Sequence, residues 1–287
     1  MRFLILAIVL SIPLAGCFEN FYLPPVKQTD LGNNTSKDWR ADYSKLLEKY
    51  VHPTDGLVDY PGLFKEKAIL DSILLALKTV DTEGFDDNQK LAFWINAYNI
   101  AMIWNILDTM ATEGEDIFNT KKVIDYEQLY FKTDRFTIAG KKLSLNEMEY
   151  GVLRLDKTYT SKFKESDLVK VVRPEIHAAV SCAALSCPPL RNKIWNADTV
   201  DQELRDAFKA VMNDTNFATL DSSGKPKVSR IIDWFFVDFK FQGQTVGAYL
   251  STLVEDSKLK AALEAAGDDK EKFIFNEYDW NLNLWKK

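Results

Sequence analysis

His177, Cys182 and Cys187 fall within eleven residues, in the run His177-Ala-Ala-Val-Ser-Cys182-Ala-Ala-Leu-Ser-Cys187-Pro188-Pro189. The chain has three cysteines and two histidines, so this segment concentrates most of its soft, titratable chemistry. A thiol beside an imidazole can form a nucleophile with its base, a redox pair or part of a metal site. Four readings stay open: a Cys182–Cys187 disulfide, a thiolate nucleophile with His177 as base, an inert buried pair, and metal ligation. The spacing of the three residues fits no familiar zinc pattern, and neither metal ligands nor a cofactor site is assigned.

The elements that carry these residues constrain the chemistry. Val169 to Ser181 reads as a buried strand, ended by the double proline. On a straight strand His177 and Cys182 point to opposite faces, more than ~15 Å apart. On a helix their azimuths differ by about 140°. A dyad therefore requires the main chain to double back between Ser181 and Cys187. A second source of polar groups is a long helix capped at Asp86 or Asp87 and running to about Met110. It is apolar all the way round and so should be central and buried. Asn96 and Asn99 share one of its faces, and a buried carboxamide must find partners. They either pin neighbouring loops or, for Asn99, orient an imidazole as in a Cys-His-Asn site.

Around this centre the pattern predicts helices over Trp39–Tyr50, Leu63–Leu77, Val200–Asn213 and Val246–Ala265. It also predicts a hairpin over Arg135–Leu145 and a short helix through Arg154, opened by a Ser144/Glu147 capping box. Phe273 to Asn283 reads as a closing strand and turn. Trp234, Phe235, Phe236, Phe239 and Phe241 read as core packing. His52 reads as a solvated loop residue, Glu149 and Arg154 as ion-pair partners or solvated groups, and Asp279 and Asn281 as turn formers.

Residues 1–16 read as an export signal: Arg2, an apolar stretch from Phe3 to Leu14, then Leu14-Ala15-Gly16 before Cys17. This resembles a bacterial lipobox, in which Cys17 is lipidated and becomes the first residue. The apolar run falls short of the about 20 residues that span a bilayer. Phe18, rather than Asp, after the cysteine favours the outer membrane, facing the periplasm. Residues 17–36, with Pro24-Pro25 and Gly32-Asn33-Asn34, read as a tether, and 37–287 as the globular domain. Removing Arg2 leaves 35 basic against 42 acidic groups, a net charge of −7. That balance argues against a nucleic-acid partner. With 46% hydrophobic and 13% aromatic residues, the domain can bury a sizeable core.

Phe93 to Asn99, Ile176-His177 through Cys182 and Cys187 to Asn192, Ser229 with Trp234 and Asp238-Phe239, and Tyr278 to Asn283 resemble the bacterial lipoprotein branch of the domain-of-unknown-function family numbered 547. The resemblance implies a distant kinship with papain-like or transglutaminase-like thiol enzymes. In those enzymes the nucleophile heads a buried helix; here that helix carries Asn96 and Asn99 and no cysteine.

The sequence therefore predicts an α+β fold: a helix-rich domain with a small, mainly antiparallel sheet and a buried central helix. Its leading functional expectation is a binding or scaffolding lipoprotein, held to the bacterial cell envelope through its N-terminal lipid. The alternative is a thiol-dependent hydrolase or acyl transferase, with Cys182 or Cys187 as nucleophile, His177 as base and Asn99 as orienter.

Overall fold

Asp38 accepts hydrogen bonds from the backbone N–H groups of Arg40 and Ala41 and so starts the first helix, α1 (Trp39–Tyr50). The computed structural model describes residues 36–286; the export signal, Cys17 and almost all of the tether lie outside them. After α1, Asp59 caps the short helix α2 (Tyr60–Phe64), and α3 follows at Lys67–Leu77. The single helix expected over Leu63–Leu77 is thus two, because Glu66 leaves the helical path with φ −111° and ψ 18°.

The central element is α4 (Asp87–Glu113), opened by a reciprocal capping box between Asp86 and Gln89. Every residue from Lys90 to Leu107 is buried. Such a helix has no solvent face, so its neighbours α2 and α3 and later elements pack around it. The hairpin forms as expected, β1 (Phe136–Ile138) pairing antiparallel with β2 (Lys141–Leu143). Ser144 and Glu147 then exchange hydrogen bonds and open a π-helical segment, Glu147–Leu153, packed on α4.

The strand expected over Val169–Ser181 is not formed. The segment is a loop with a 3-10 turn at Pro174–Ala178. Proline at the head of that turn has a suitable fixed φ and lacks only an N–H that would have no partner there. The apolar run is buried because it packs beneath α5 (Val200–Met212), and not because it joins a sheet. A continuous apolar stretch does not distinguish these outcomes.

On α5 the buried residues recur at helical spacing and join two parts of the core: Val200 and Leu204 pack with the cluster around α4, Phe208 and Val211 with the second part. That part contains β3 (Ala218–Leu220), β4 (Pro226–Val228), α6 (Arg230–Trp234), α7 (Val246–Ser251), α8 (Ser257–Ala266) and β5 (Ile274–Phe275). The helix expected over Val246–Ala265 is divided because Asp256 turns out of it and caps α8. In the three-stranded sheet β4 lies between β3, antiparallel, and β5, parallel. The fold is helix-rich α+β, with two small sheets and a buried central helix. No helix among the described residues is long and apolar enough to cross a membrane.

The last residues close the structure over the thiol segment. Leu185 N–H donates to the Asn281 carbonyl at 2.8 Å, and Asn283 N–H to the Ala183 carbonyl at 2.9 Å. Tyr60 Oη donates to Asn283 Oδ1 at 2.8 Å, tying this segment to α2. On the other side Gly56, at φ +68°, lies against the Pro189–Leu190 backbone, where an added Cβ would sit 2.5 Å from Leu190 N. The loop that follows Cys187 is therefore held by main-chain contact that only glycine permits.

Candidate functional site

The chain doubles back where a dyad requires it. Ala183 adopts φ +60°, an uncommon conformation for a residue with a side chain, and the turn continues with Cys187 N–H donating to the Ala184 carbonyl at 3.0 Å. As a result, Cys182 N–H points at Cys187 Sγ, 3.1 Å away. Asn99 sets the approach to this turn: its Nδ2 donates to the Ala179 carbonyl and its Oδ1 accepts from Ser181 N–H, both at 2.8 Å. Asn96 does the same for another loop, gripping both backbone groups of Trp195. Both asparagines pin loops. That is the first of the two roles open to them; the imidazole's partner is Asp238, and not the Asn99 that the Cys-His-Asn alternative assigned to it.

Cys182 and Cys187 are free thiols. They differ in acidity. Cys182 is lowered from the ordinary thiol range, first by the Cys187 thiol that donates to it, then by the Tyr278 hydroxyl and the Ala184 N–H. These donors outweigh burial, which acts the other way. Tyr278 Oη lies 3.1 Å from Cys182 Sγ, and burial raises its own pKa, so the phenol keeps its proton to donate. Cys187 is raised because its proton is held by Cys182 and its surroundings are dry. Of the two sulfurs, Cys182 is the one that its neighbours favour in the ionised form, with Cys187 acting as a donor to it.

His177 is buried in the 3-10 turn, its ring stacked on Phe235 with 4.1 Å between centroids. Its Nε2 lies 2.9 Å from Asp238 Oδ2. Burial lowers the imidazole pKa, and the Asp238 carboxylate only partly offsets this. Burial works against the ionised carboxylate of Asp238, yet hydrogen bonds from His177 and Arg154 prevail and hold its pKa below the ordinary value. Arg154 Nε donates to Asp238 Oδ2 at 2.5 Å. An ionised acceptor beside a neutral imidazole fixes the proton on Nε2 and leaves the lone pair on Nδ1. Among the described residues Nδ1 has no hydrogen-bond partner, and neither sulfur is hydrogen-bonded to the ring.

One cavity of about 400 Å³ contains all of these groups: Cys182, Cys187, His177 and Tyr278 line it, together with Tyr98 and Glu149. Burial pushes the Glu149 carboxyl up to about 7, against the opposing charge of Arg154 and a hydrogen bond from Tyr98. Sequence reasoning placed Glu149 and Arg154 in ion pairs or solvent. Arg154 does pair, with Asp238, but Glu149 faces the cavity without a salt bridge among the described residues. Asp238 and Tyr278 entered that reasoning only as members of the motifs that carry the resemblance, with no role at the site. The available signal was a lone carboxylate inside the aromatic run Trp234–Phe241, which has to find partners when that run is buried. No group of three or more His, Cys, Asp or Glu is placed to hold a metal ion among the described residues.

No match was found among curated proteins or among solved structures. Residues 82–210 match the model of the family described as "Protein of unknown function, DUF547". That segment carries Asn96, Asn99, Glu149, Arg154, His177, Cys182 and Cys187 and ends before Asp238 and Tyr278, and over it the chain is similar to that family.

Proposed function

We propose that the domain performs thiol-dependent acyl transfer, with hydrolysis as the outcome when water is the acceptor. One observation carries the reading: an acidified thiol and a neutral imidazole with a free Nδ1 line the same cavity. The Cys182 thiolate attacks the carbonyl carbon of an ester or amide, a C–S bond forms, and the carbonyl electron pair moves onto oxygen. Collapse breaks the bond to the leaving group, which takes a proton from the neutral Glu149 carboxyl. His177 Nδ1 then removes a proton from water as its oxygen attacks the thioester. The carboxylic acid departs, the thiolate returns, and the proton on His177 passes through solvent to Glu149. The ionised Asp238 steadies the imidazolium while it exists.

The test is alkylation of the full chain by iodoacetamide across pH, read by mass spectrometry. Cys182 is expected to label in the native protein, with its midpoint below the ordinary thiol value of about 8.5. Tyr278→Phe removes one donor and is expected to move that midpoint up. If neither cysteine labels before unfolding, or Cys187 labels first, the acyl-transfer reading fails. A binding role without chemistry is the second reading, favoured by the 46% exposure of Trp234, which stacks on Trp280 at the cavity wall. The unlabelled outcome would leave that reading in place.

The proposal extends to location. The Leu14-Ala15-Gly16-Cys17 pattern supports lipidation of Cys17 and an envelope-anchored protein held through its tether, facing the periplasm from the outer membrane. Cys17→Ser is then expected to shift the protein from the membrane pellet to the soluble fraction. Unchanged sedimentation of the variant would overturn the anchor.

A further inference from the structure

The walls of the same cavity specify a charge for its ligand. On one side Trp234 and Trp280 stack with 5.7 Å between centroids, and Tyr278 lies 4.5 Å from Trp280. Tyr98 and Tyr159 contribute further aromatic surface. Two other rings are already used: the Arg154 guanidinium sits 4.4 Å from the Tyr150 ring and 4.5 Å from the Phe235 ring. The remaining aromatic surface therefore belongs to the Trp234–Tyr278–Trp280 group, with Tyr98, Phe131 and Tyr159.

The charged groups are equally divided between used and unused. Glu127 and Lys132, also in the lining, pair with each other at 2.7 Å. Asp238 is committed to His177 and Arg154. His177 is neutral near neutral pH. What remains is the Glu149 carboxyl, held by the Tyr98 hydroxyl and facing the cavity without a salt bridge among the described residues. Aromatic faces attract a cation through their quadrupoles and do so best when it is too bulky for a water shell. The Glu149 carboxyl in the same lining supplies the counter-charge.

We infer that this cavity binds a quaternary ammonium group, seated between the Trp234–Tyr278–Trp280 wall and Glu149. The inference stands apart from the acyl-transfer reading, because a cation seated here takes the place of the Glu149 proton that the reading uses. Binding itself needs no chemistry.

The cation also accounts for an otherwise costly buried carboxyl. Glu149 titrates at about 7 in the empty cavity, so a bound cation must pull its proton off, and affinity must rise as pH increases through that value. The groups around Glu149 are Tyr98 from α4, Arg154 and Tyr150 from its own segment, and Asp238. The tyrosines are raised and the aspartate is lowered, so neither type titrates in this range. The Cys182 thiolate is the other charge to appear as pH rises, and a variant separates the two.

The experiment titrates choline into the full chain, read by tryptophan fluorescence and calorimetry. Its uncharged isostere, with a quaternary carbon in place of nitrogen, runs in parallel. Choline is expected to saturate, with the isostere about tenfold weaker. Glu149→Gln is expected to weaken choline about tenfold and to flatten the pH dependence, which assigns the counter-charge to the carboxyl and not the thiolate. Trp280→Leu is expected to weaken binding while keeping the pH dependence. Equal affinity for the isostere, or no saturation by choline, would overturn the inference. Choline binding by a protein whose Cys182 resists alkylation would sink the acyl-transfer reading and leave the cation site standing.

Discussion

Asp238→Ala is expected to lower the free energy of unfolding by about 3–5 kcal/mol, the largest effect of any single side chain at the site. Asp238 is the common acceptor for two buried donors, the imidazole of His177, 1% exposed, and the guanidinium of Arg154, 13% exposed. Truncation removes three hydrogen bonds, two from Arg154 and one from His177, and leaves a cation uncompensated in a dry setting. Arg154 has no spare partner to absorb the loss, because its Nη1 is already buried without one. Asp238→Asn keeps an acceptor and removes the charge, so it should cost less than the alanine variant while still releasing the fixed tautomer of His177. Urea unfolding at neutral pH provides the comparison. A change below about 1 kcal/mol in the alanine variant would show that Arg154 turns to Glu149 instead, and that Asp238 is not the keystone of this cluster.

The second large effect has the opposite sign. Glu149→Gln is expected to stabilise the protein by about 3 kcal/mol above neutrality. The carboxyl titrates at about 7 in the folded chain instead of 4.5. Between those values the folded state holds a proton that the unfolded state has released, so wild-type stability falls as pH climbs through this window. Below it both states are protonated and the penalty is absent. The amide cannot ionise, retains an acceptor for Tyr98, and so should match the wild type in acid, pull ahead as pH climbs through the window and hold its full advantage from about pH 7 upward. Thermal or urea unfolding across this range tests the point; parallel profiles for the two proteins would mean that the carboxyl is solvated after all. A residue whose removal strengthens the fold is one that the fold retains for another purpose, as expected of a functional carboxyl.

Much of the frame was readable from local pattern. The all-round apolar run around Asn96 and Asn99 identified the central helix, because a helix without a polar face has to be enclosed. The Arg135–Leu145 hairpin and the Ser144/Glu147 exchange were legible because their chemistry is confined to a few neighbouring residues. The need for a reversal after Ser181 followed from side-chain period alone. What escaped was long-range. Val169–Ser181 is apolar in the manner of a strand, yet its burial comes from α5, far along the chain, and Pro174 favours a tight turn. The choice between Asn99 and Asp238 as partner of His177 depended on which of two distant segments reaches the ring. Asn99 instead serves the backbone of the loop, and Asp238 arrives from 61 residues downstream. Tyr278 is further still, 96 residues from the sulfur it touches.

That last separation bears on how the protein comes to exist. The segment from Tyr278 to Leu284 supplies a wall of the cavity, a hydrogen bond to the Cys182 sulfur and the backbone partners of the turn bearing it. Whether at synthesis or at export, chain emergence delivers these residues after all the other parts of the cavity. The helices around α4 can gather first, but Cys182 gains the Tyr278 donor and the backbone partners of its turn only once this stretch has followed. On the acyl-transfer proposal, a chain that stops short of it is chemically quiet.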